Sequence, residues 1–542
     1  MKRSIPSDIE QRRFDLIVIG AGINGVAIAR DAAMRGLSVL VLEKDDIASG
    51  TTSWSTRLIH GGLRYLEHAE LGLVRESLRE RERLLHNAPH LVKPLGLLLP
   101  IYQGAKRGPL LIRAGMLLYD ALSFDKSLDR HHMLKRQQMI ADVPPINEDG
   151  LRGAALYYDA QVTFAERLAV ENALSAAEHG ALIVTHAKVT EIVTEGAVVR
   201  GVKVHDQIGD QTFQANGHVV MNVAGPWVDK VLAEAPEGRV DERLIGGTKG
   251  SHLVIDRLNT LVDKALYFEA NDGRPIFVVP WNDFHLIGTT DIRFEGDLND
   301  VRISEAEVDY LLAETAQLLP RAGLTRERVR YAYSGVRPLP YKPDGAPGAV
   351  TRSHLIHDHA PKLRGLFSII GGKLTTHRSL AEEAVDEAQE LIGRKTPSKT
   401  ADSPLPGGAG LAIGPFTRAF VEQADGLAAN APRLVNIYGA NASKVLDLAR
   451  STGGLDAVFD VESGALAAEV VHAVEHEGAE TLEDILMRRT MVGLGGNLGA
   501  GADRAAAQIA VEHLGWSQSR ANDEVAAYRK HIERFKIDNT SS

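Results

Sequence analysis

An α/β fold is what this sequence predicts: a parallel sheet with an inserted antiparallel-sheet domain, followed by an α-helical C-terminal domain. Three observations predict it. Residues 14–43 run through strand, glycine loop, helix and strand; two later apolar strands end in glycine turns; and after about Pro404 the chain becomes alanine- and leucine-rich and mostly helical in pattern.

The first unit reads FDLIVIGAGINGVAIARDAAMRGLSVLVLE. Phe14 to Ile19 is a short apolar run suited to a buried parallel strand. Gly20-Ala21-Gly22-Ile23-Asn24-Gly25 supplies G-x-G-x-x-G, Val26 to Met34 is helical, Gly36 closes that helix, and Leu37 to Leu42 is a second strand. In a Rossmann-like unit of this kind Gly20 makes the tight turn, Gly22 admits a pyrophosphate close to the backbone, and Gly25 lets the helix pack on the sheet. The helix start offers free N–H groups and a partial positive charge to phosphates. Glu43, 18 residues beyond Gly25, can accept from both ribose hydroxyls and would repel a 2′-phosphate, which argues against NADP.

Composition narrows the choice of dinucleotide. The 542 residues include no cysteine, which excludes Cys-ligated iron–sulfur clusters, zinc-thiolate sites and redox dithiols, and with them the flavin–disulfide reductases. No metal site is expected, and the absence of disulfides fits a reducing compartment. A net charge of −10 gives no reason to expect nucleic acid as a partner. Met1 to Arg13 is polar and charged, without the apolar core of a secretory signal, and no run of 18 apolar residues is present to span a membrane.

His218 to Val223 is a further strand, ending at Ala224-Gly225-Pro226-Trp227 after a β-rich stretch from Ala181 to Val204. Gly365 to Ile370 is another, ending at Gly371-Gly372 before a helical Lys373 to Leu391. A cofactor domain assembled from three separated pieces is usual for FAD folds. Between them, HLVID, IFVVPW and FHLIGTTD read as strands of an antiparallel sheet covering the flavin. The chain divides into a discontinuous FAD-binding domain (14–80, 181–230 and 350–391), a substrate or cap domain (81–180 and 231–349), a linker (392–410) and a helical domain (411–537). The glycines of 493–501 resemble a phosphate loop but follow a helix-like segment, so they read as a helix end and loop. Nothing else offers a second dinucleotide site, so NAD(P)H is not the expected electron source.

Four clusters carry the chemistry. Ser53-Trp54-Ser55-Thr56-Arg57-Leu58-Ile59-His60-Gly61-Gly62 follows Glu43 closely; its hydroxyls suit a pyrophosphate or ring edge and its glycines close approach, with Arg64 and Tyr65 beyond as site residues or as a solvated helix start. Gly247 to His252 enters a strand, where His252 is a general base or one of many structural histidines. In Tyr333-Ser334-Gly335-Val336-Arg337-Pro338, Pro338 extends the chain before it, and Arg337 suits bidentate recognition of an anion or a surface ion pair. Gly371-Gly372-Lys373-Leu374-Thr375-Thr376 places N–H groups and a helix start where a flavin's pyrimidine edge would gain negative charge, or is an ordinary βα turn.

RLIHGGLRYLEH, KGSH, GTTD, YSGVRPL and GGKLTT, in this order behind GxGxNG, resemble the FAD-dependent sn-glycerol-3-phosphate dehydrogenases of the aerobic respiratory type. The resemblance is dense from Asp15 to about Leu391 and looser beyond, through His476 and Arg488-Arg489-Thr490. It implies a glutathione-reductase/D-amino-acid-oxidase-like fold and non-covalent FAD held by Gly20, Gly22, Gly25 and Glu43. Ser53, Ser55, His60, Gly61, Gly62, Gly225, Gly371, Gly372, Leu374 and Thr375 are the other expected cofactor contacts. It further implies sn-glycerol 3-phosphate bound by Arg64, Tyr65, Arg337 and Lys373, with His252 as the base and Arg337 stabilising the reduced flavin. Arg57 stands where lysine is common, a change that keeps the charge. Electrons would pass to a quinone at the inner face of the cytoplasmic membrane, and a homodimer is left open. Lys93 to Phe124, apolar with interspersed cations, reads equally as an interfacial segment or a buried core segment. The rival readings are an oxidase that reduces O2, a relative that oxidises amino acids, and a non-catalytic flavin-binding membrane sensor.

Overall fold

The computed structural model of the chain describes residues 1–63, 66, 70–240, 242–258, 261, 263–342 and 353–537. The glycine-loop unit forms as its pattern dictates: strand Arg13–Ile19, helix Ile23–Met34 and strand Val39–Leu42, with the two strands parallel. Strand Gln211–Asn222 joins on the other side of Arg13–Ile19, and Leu366–Ile370 lies parallel beyond it. Strand Leu355–Asp358 forms one antiparallel edge, and Leu182–Val184 extends the other side beyond Val39–Leu42. These strands are near-continuous Val/Ile/Leu because both faces are covered. Helices Ile23–Met34, Ala165–Glu178 and His377–Ile392 close one face, and the hairpin Ala187–Glu195/Val198–Asp206 the other.

A second sheet is mixed and largely antiparallel. Its centre is strand Thr248–Asp256, flanked by Phe284–Gly288 and Val329–Arg337; Val92–Tyr102 and Leu151–Val162 extend it through Ala265–Glu269 and Pro275–Trp281. Beyond Pro404 the chain is helical, with a short hairpin (Val458–Asp460, Ala465–Leu466) and one π-helical turn, Asp484–Arg489.

One boundary differs from the sequence reading. The last helix of the cofactor region begins at His377 and not at Lys373. Gly371 and Gly372 both take left-handed φ values (+77° and +91°), so the chain makes a turn before it coils. The Lys93 to Phe124 segment resolves into strand Val92–Tyr102 and helix Pro109–Leu122. Ile112, Met116 and Tyr119 of that helix are buried, whereas Leu110, Leu111 and Leu117 are 83, 61 and 57 % exposed. No helix among the described residues is long and apolar enough to cross a membrane.

Candidate active site

The site is built where the glycine-loop unit meets the second sheet. Gly20 takes φ +109°, and a Cβ on Gly25 would lie 1.9 Å from the Gly20 carbonyl oxygen, so the loop and helix close only with glycine. Gly22 caps the helix Ile23–Met34 without a side-chain bond; the Ile23 N–H donates to Thr52 Oγ1 at 3.0 Å. Glu43 accepts the Ala21 N–H on one carboxylate oxygen (2.7 Å) and the Asp45 N–H on the other (2.9 Å). Each oxygen keeps acceptor capacity for a ribose hydroxyl. Burial, and then the Asp45 charge, push the Glu43 carboxyl upward.

Long-range contacts stitch the motif segments to one another. Thr51 Oγ1 donates to the Val336 carbonyl (2.6 Å), Tyr333 Oη to the Ser55 carbonyl (2.8 Å), and the Gly371 N–H to the Pro338 carbonyl (2.8 Å). The His60 N–H donates to Thr375 Oγ1 (3.2 Å), and the Gly61 N–H to Tyr119 Oη (2.9 Å), itself held by Asp159. Gly61 has no room for a side chain, since its Cβ would lie 2.5 Å from Tyr119 Oη.

His252 lies on the face of the second sheet that also carries Gly250, Tyr333, Gly335 and Arg337, as strand alternation and register require. A Cβ on Gly288 would stand 2.3 Å from His252 Cδ2, and one on Gly250 2.2 Å from Arg337 Nη2. These glycines make the space in which imidazole and guanidinium sit. Tyr333 stacks on His252 at 4.9 Å, and Trp54 packs between Tyr333 (5.6 Å) and Phe535 (5.0 Å). His252 Nε2 is 2.9 Å from Thr56 Oγ1; Nδ1 is buried without a hydrogen-bond partner. Burial first, then the charges of Arg337 and Arg57, lower the His252 pKa to about 3. The imidazole is therefore neutral at physiological pH. Arg337 reaches Asp291 (3.1 Å) and Thr289 Oγ1 (3.0 Å). On the opposite face Lys249, Ser251 and Thr290 converge on buried Glu307 at 2.7–2.8 Å, fixing the strand that presents His252.

The remaining expected residues are placed as follows. Ser53 Oγ donates to the Ala48 carbonyl (2.6 Å) and Ser55 Oγ accepts the Arg57 N–H (3.2 Å), so both hydroxyls brace their own loop. Gly62 and Gly225 take left-handed φ values of +77° and +56°. Lys373 is half-buried in the turn tied to Pro338, and Leu374 presents its carbonyl to His377 Nδ1 (2.7 Å). Arg57 is fully buried in a two-pronged pair with Glu166 (2.8 Å each), which accounts for its charge internally. Arg64 and Tyr65 lie outside the described residues.

Sequence reasoning singled out the segments of Thr56 and Tyr333 but did not pair either residue with His252, and it missed the C-terminal domain's hold on the cofactor loop. Asp46, buried just beyond Glu43, accepts from Arg488 (2.7 Å) and from both terminal nitrogens of Arg489 (2.8 Å each). His186 binds Asp484 at 2.8 Å beside them. Burial opposes charge on His186, but the Asp484 carboxylate prevails and raises its pKa to about 9. Two adjacent arginines in an apolar stretch were the available signal. A cavity of about 450 Å³ opens between this loop, Trp227 and the C-terminal helices; His252, Arg337 and Lys373 do not line it.

These residues fit FAD. The glycine loop leaves a backbone cradle, Glu43 keeps acceptors for a ribose, and Asn24 Oδ1, Trp227 Nε1 and His252 Nδ1 are buried polar atoms lacking partners on elements that border the loop and sheet face.

Comparison with known proteins agrees. Residues 15–378 match the family model described as FAD dependent oxidoreductase, and residues 398–521 the C-terminal domain of alpha-glycerophosphate oxidase. The chain is 44% identical to a glycerol-3-phosphate dehydrogenase of Synechocystis sp. over 98% of both chains. It is 33% identical to an aerobic glycerol-3-phosphate dehydrogenase of Staphylococcus haemolyticus, over 90% of this chain and 88% of the other. The solved structure of the glycerol-3-phosphate dehydrogenase from Bacillus halodurans complexed with FAD superposes with a TM-score of 0.80 at 28% identity, covering 98% of each chain. The glycine loop with its acid, the paired sheets and the likeness along the full length lead to one conclusion: this chain belongs to the glycerol-3-phosphate dehydrogenase family of FAD-dependent oxidoreductases.

Proposed function

We propose that the protein oxidises sn-glycerol 3-phosphate to dihydroxyacetone phosphate and passes the electrons to a quinone at a membrane surface. Bound FAD supplies the two-electron acceptor for the hydrogen leaving C2 with its electron pair. The observation that carries the reading is the shared face of strands Thr248–Asp256 and Val329–Arg337. It holds a neutral imidazole and a guanidinium side by side, with Lys373 on the turn bonded to Pro338.

His252 takes the C2 hydroxyl proton. A pKa of about 3 suits a weak base, but the hydroxyl becomes strongly acidic as C2 loses its hydrogen, so a positioned neutral nitrogen suffices. Arg337 and Lys373 bind the phosphate dianion, with Arg64 and Tyr65 as further contacts. Arg337 also offsets negative charge that develops on reduction. The helix Pro109–Leu122 supports the acceptor assignment. Its inner residue Tyr119 bonds the Gly61 N–H of the site loop, while its outer leucines, with Lys106 and Arg113, face solvent as an interfacial helix does. The description of the C-terminal family model favours a second reading, direct transfer to O2.

Anaerobic addition of sn-glycerol 3-phosphate to the FAD-loaded protein should bleach the flavin, and a soluble quinone should restore its colour faster than air does. Arg337→Ala and Lys373→Ala should each lower kcat/KM by ~10²-fold or more, the effect of removing one buried charge-assisted contact. Near-normal kinetics in both variants would move the phosphate site elsewhere. Faster reoxidation by air than by quinone would favour the oxidase.

A further inference from the structure

The edge strand Leu355–Asp358 carries a feature that this reaction does not use. His357 and, just past the strand end, His359 lie two residues apart and so face the same side. Their rings stand 4.6 Å apart, nearly perpendicular. Across from them Glu242 Oε1 is 3.1 Å from His357 Nε2, and one ligand atom from each of the three residues falls within 4.8 Å of the others. His359 Nε2 is 2.8 Å from the hydroxyl of fully buried Ser368.

We infer that Glu242, His357 and His359 form a binding site for a divalent transition-metal ion of the zinc class. Two imidazoles and one carboxylate are the ligand set that zinc accepts, leaving a fourth position for water. Tetrahedral bonds of 2.0–2.2 Å set ligand atoms about 3.4 Å apart. The Glu242–His357 pair already meets that spacing, and both side chains are exposed enough to rotate, at 61 and 27 %. Ser368 plays the part of an outer partner. In the tautomer where Ser368 accepts the Nε2–H of His359, that contact fixes the ring and leaves the Nδ1 lone pair for an ion. Hard cations such as Mg²⁺ favour all-oxygen sites and are poor candidates.

The ion would join two pieces of chain that matter to the fold. Glu242 begins the segment in which the Leu244 and Ile245 N–H groups bond Asp229 (3.0 and 3.1 Å), and that segment runs directly into the strand bearing His252. Metal binding would fasten it to the edge of the nucleotide-binding sheet.

The test uses tag-free, FAD-loaded full-length protein that has been stripped with a chelator and dialysed. Calorimetric titration with Zn²⁺ should show one saturable equivalent, and Co²⁺ should give the visible absorption of a low-symmetry nitrogen–oxygen site. His357→Ala and Glu242→Gln change partly exposed side chains and leave the core intact. Each should weaken Zn²⁺ by at least about 10-fold, the least that loss of an outer partner costs, and abolish the cobalt band. Added Zn²⁺ should raise the melting temperature of the wild type and not of the variants. Zn²⁺ binding of equal strength in both variants, or no saturable submillimolar binding in the wild type, would overturn the site. Bleaching of the flavin by sn-glycerol 3-phosphate is independent of either outcome.

Discussion

His252 shows how much a single position owes to its neighbours. The KGSH motif marks it as a candidate base, but a base of ordinary ionisation would give a rate rising with pH near neutrality. Burial against Tyr333 and beside Arg337 moves that limb to about pH 3, so flavin reduction should be insensitive to this residue's ionisation from pH 5 upward. His252→Gln should slow reduction by ~10²–10⁴-fold, the usual contribution of a general base. Thr56 supplies the finer test. If its hydroxyl accepts the Nε2–H, the lone pair is left on Nδ1. Thr56→Val should then slow reduction by about tenfold, the worth of one such hydrogen bond, and Thr56→Ser should restore it. Nitrogen NMR of the histidine should report the loss of a fixed tautomer in the valine variant alone. Wild-type rates in Thr56→Val would make the contact ornamental. The sequence offered the hydroxyl cluster but no means of pairing position 56 with position 252, since burial and stacking are tertiary facts.

Elements were more legible where the signal is local. The glycine-loop unit, the strands at 218–223 and 365–370 and the helical C-terminal domain follow from apolar runs, periodicity and turn residues. The four-residue delay before the helix His377–Ile392 does not, because left-handed φ at Gly371 and Gly372 is an option a glycine pair permits without demanding. Helix Pro109–Leu122, in the segment that sequence left equal between two readings, has one face of each kind: Ile112, Met116 and Tyr119 enter the core while the leucines turn outward. Replacing Leu110 and Leu111 by serine should weaken binding to anionic phospholipid vesicles by ~10²-fold, from about 1.5 kcal/mol or more per leucine withdrawn from lipid. Flavin reduction by substrate in detergent-free buffer should be unchanged. Equal vesicle binding by wild type and variant would remove this helix from the membrane reading.

Across the whole molecule, contacts of extreme sequence separation set the form. Asp46 meets Arg488 and Arg489 across 442 and 443 residues, and His186 meets Asp484 across 298, pairings that no single-sequence pattern reveals. The His186 pair gives stability a pH dependence. Its folded pKa of about 9 exceeds the ordinary histidine value of about 6.5, so the gain is complete below pH 6.5 and vanishes as pH rises through 9. Stability should fall over that window by up to about 1.4 kcal/mol per pH unit, the melting temperature falling with it, and His186→Gln should flatten the dependence. An unchanged slope in that variant would assign the effect to other groups. The ring chain from Phe535 through Trp54 and Tyr333 to His252 has a biosynthetic consequence. Phe535 leaves the ribosome 481 residues after Trp54, so a nascent polypeptide carries its nucleotide-binding sheet long before the wall behind its imidazole exists. Chains aborted short of Phe535 would therefore lack the outermost ring of that stack, leaving Trp54 open to solvent and its loop to proteases.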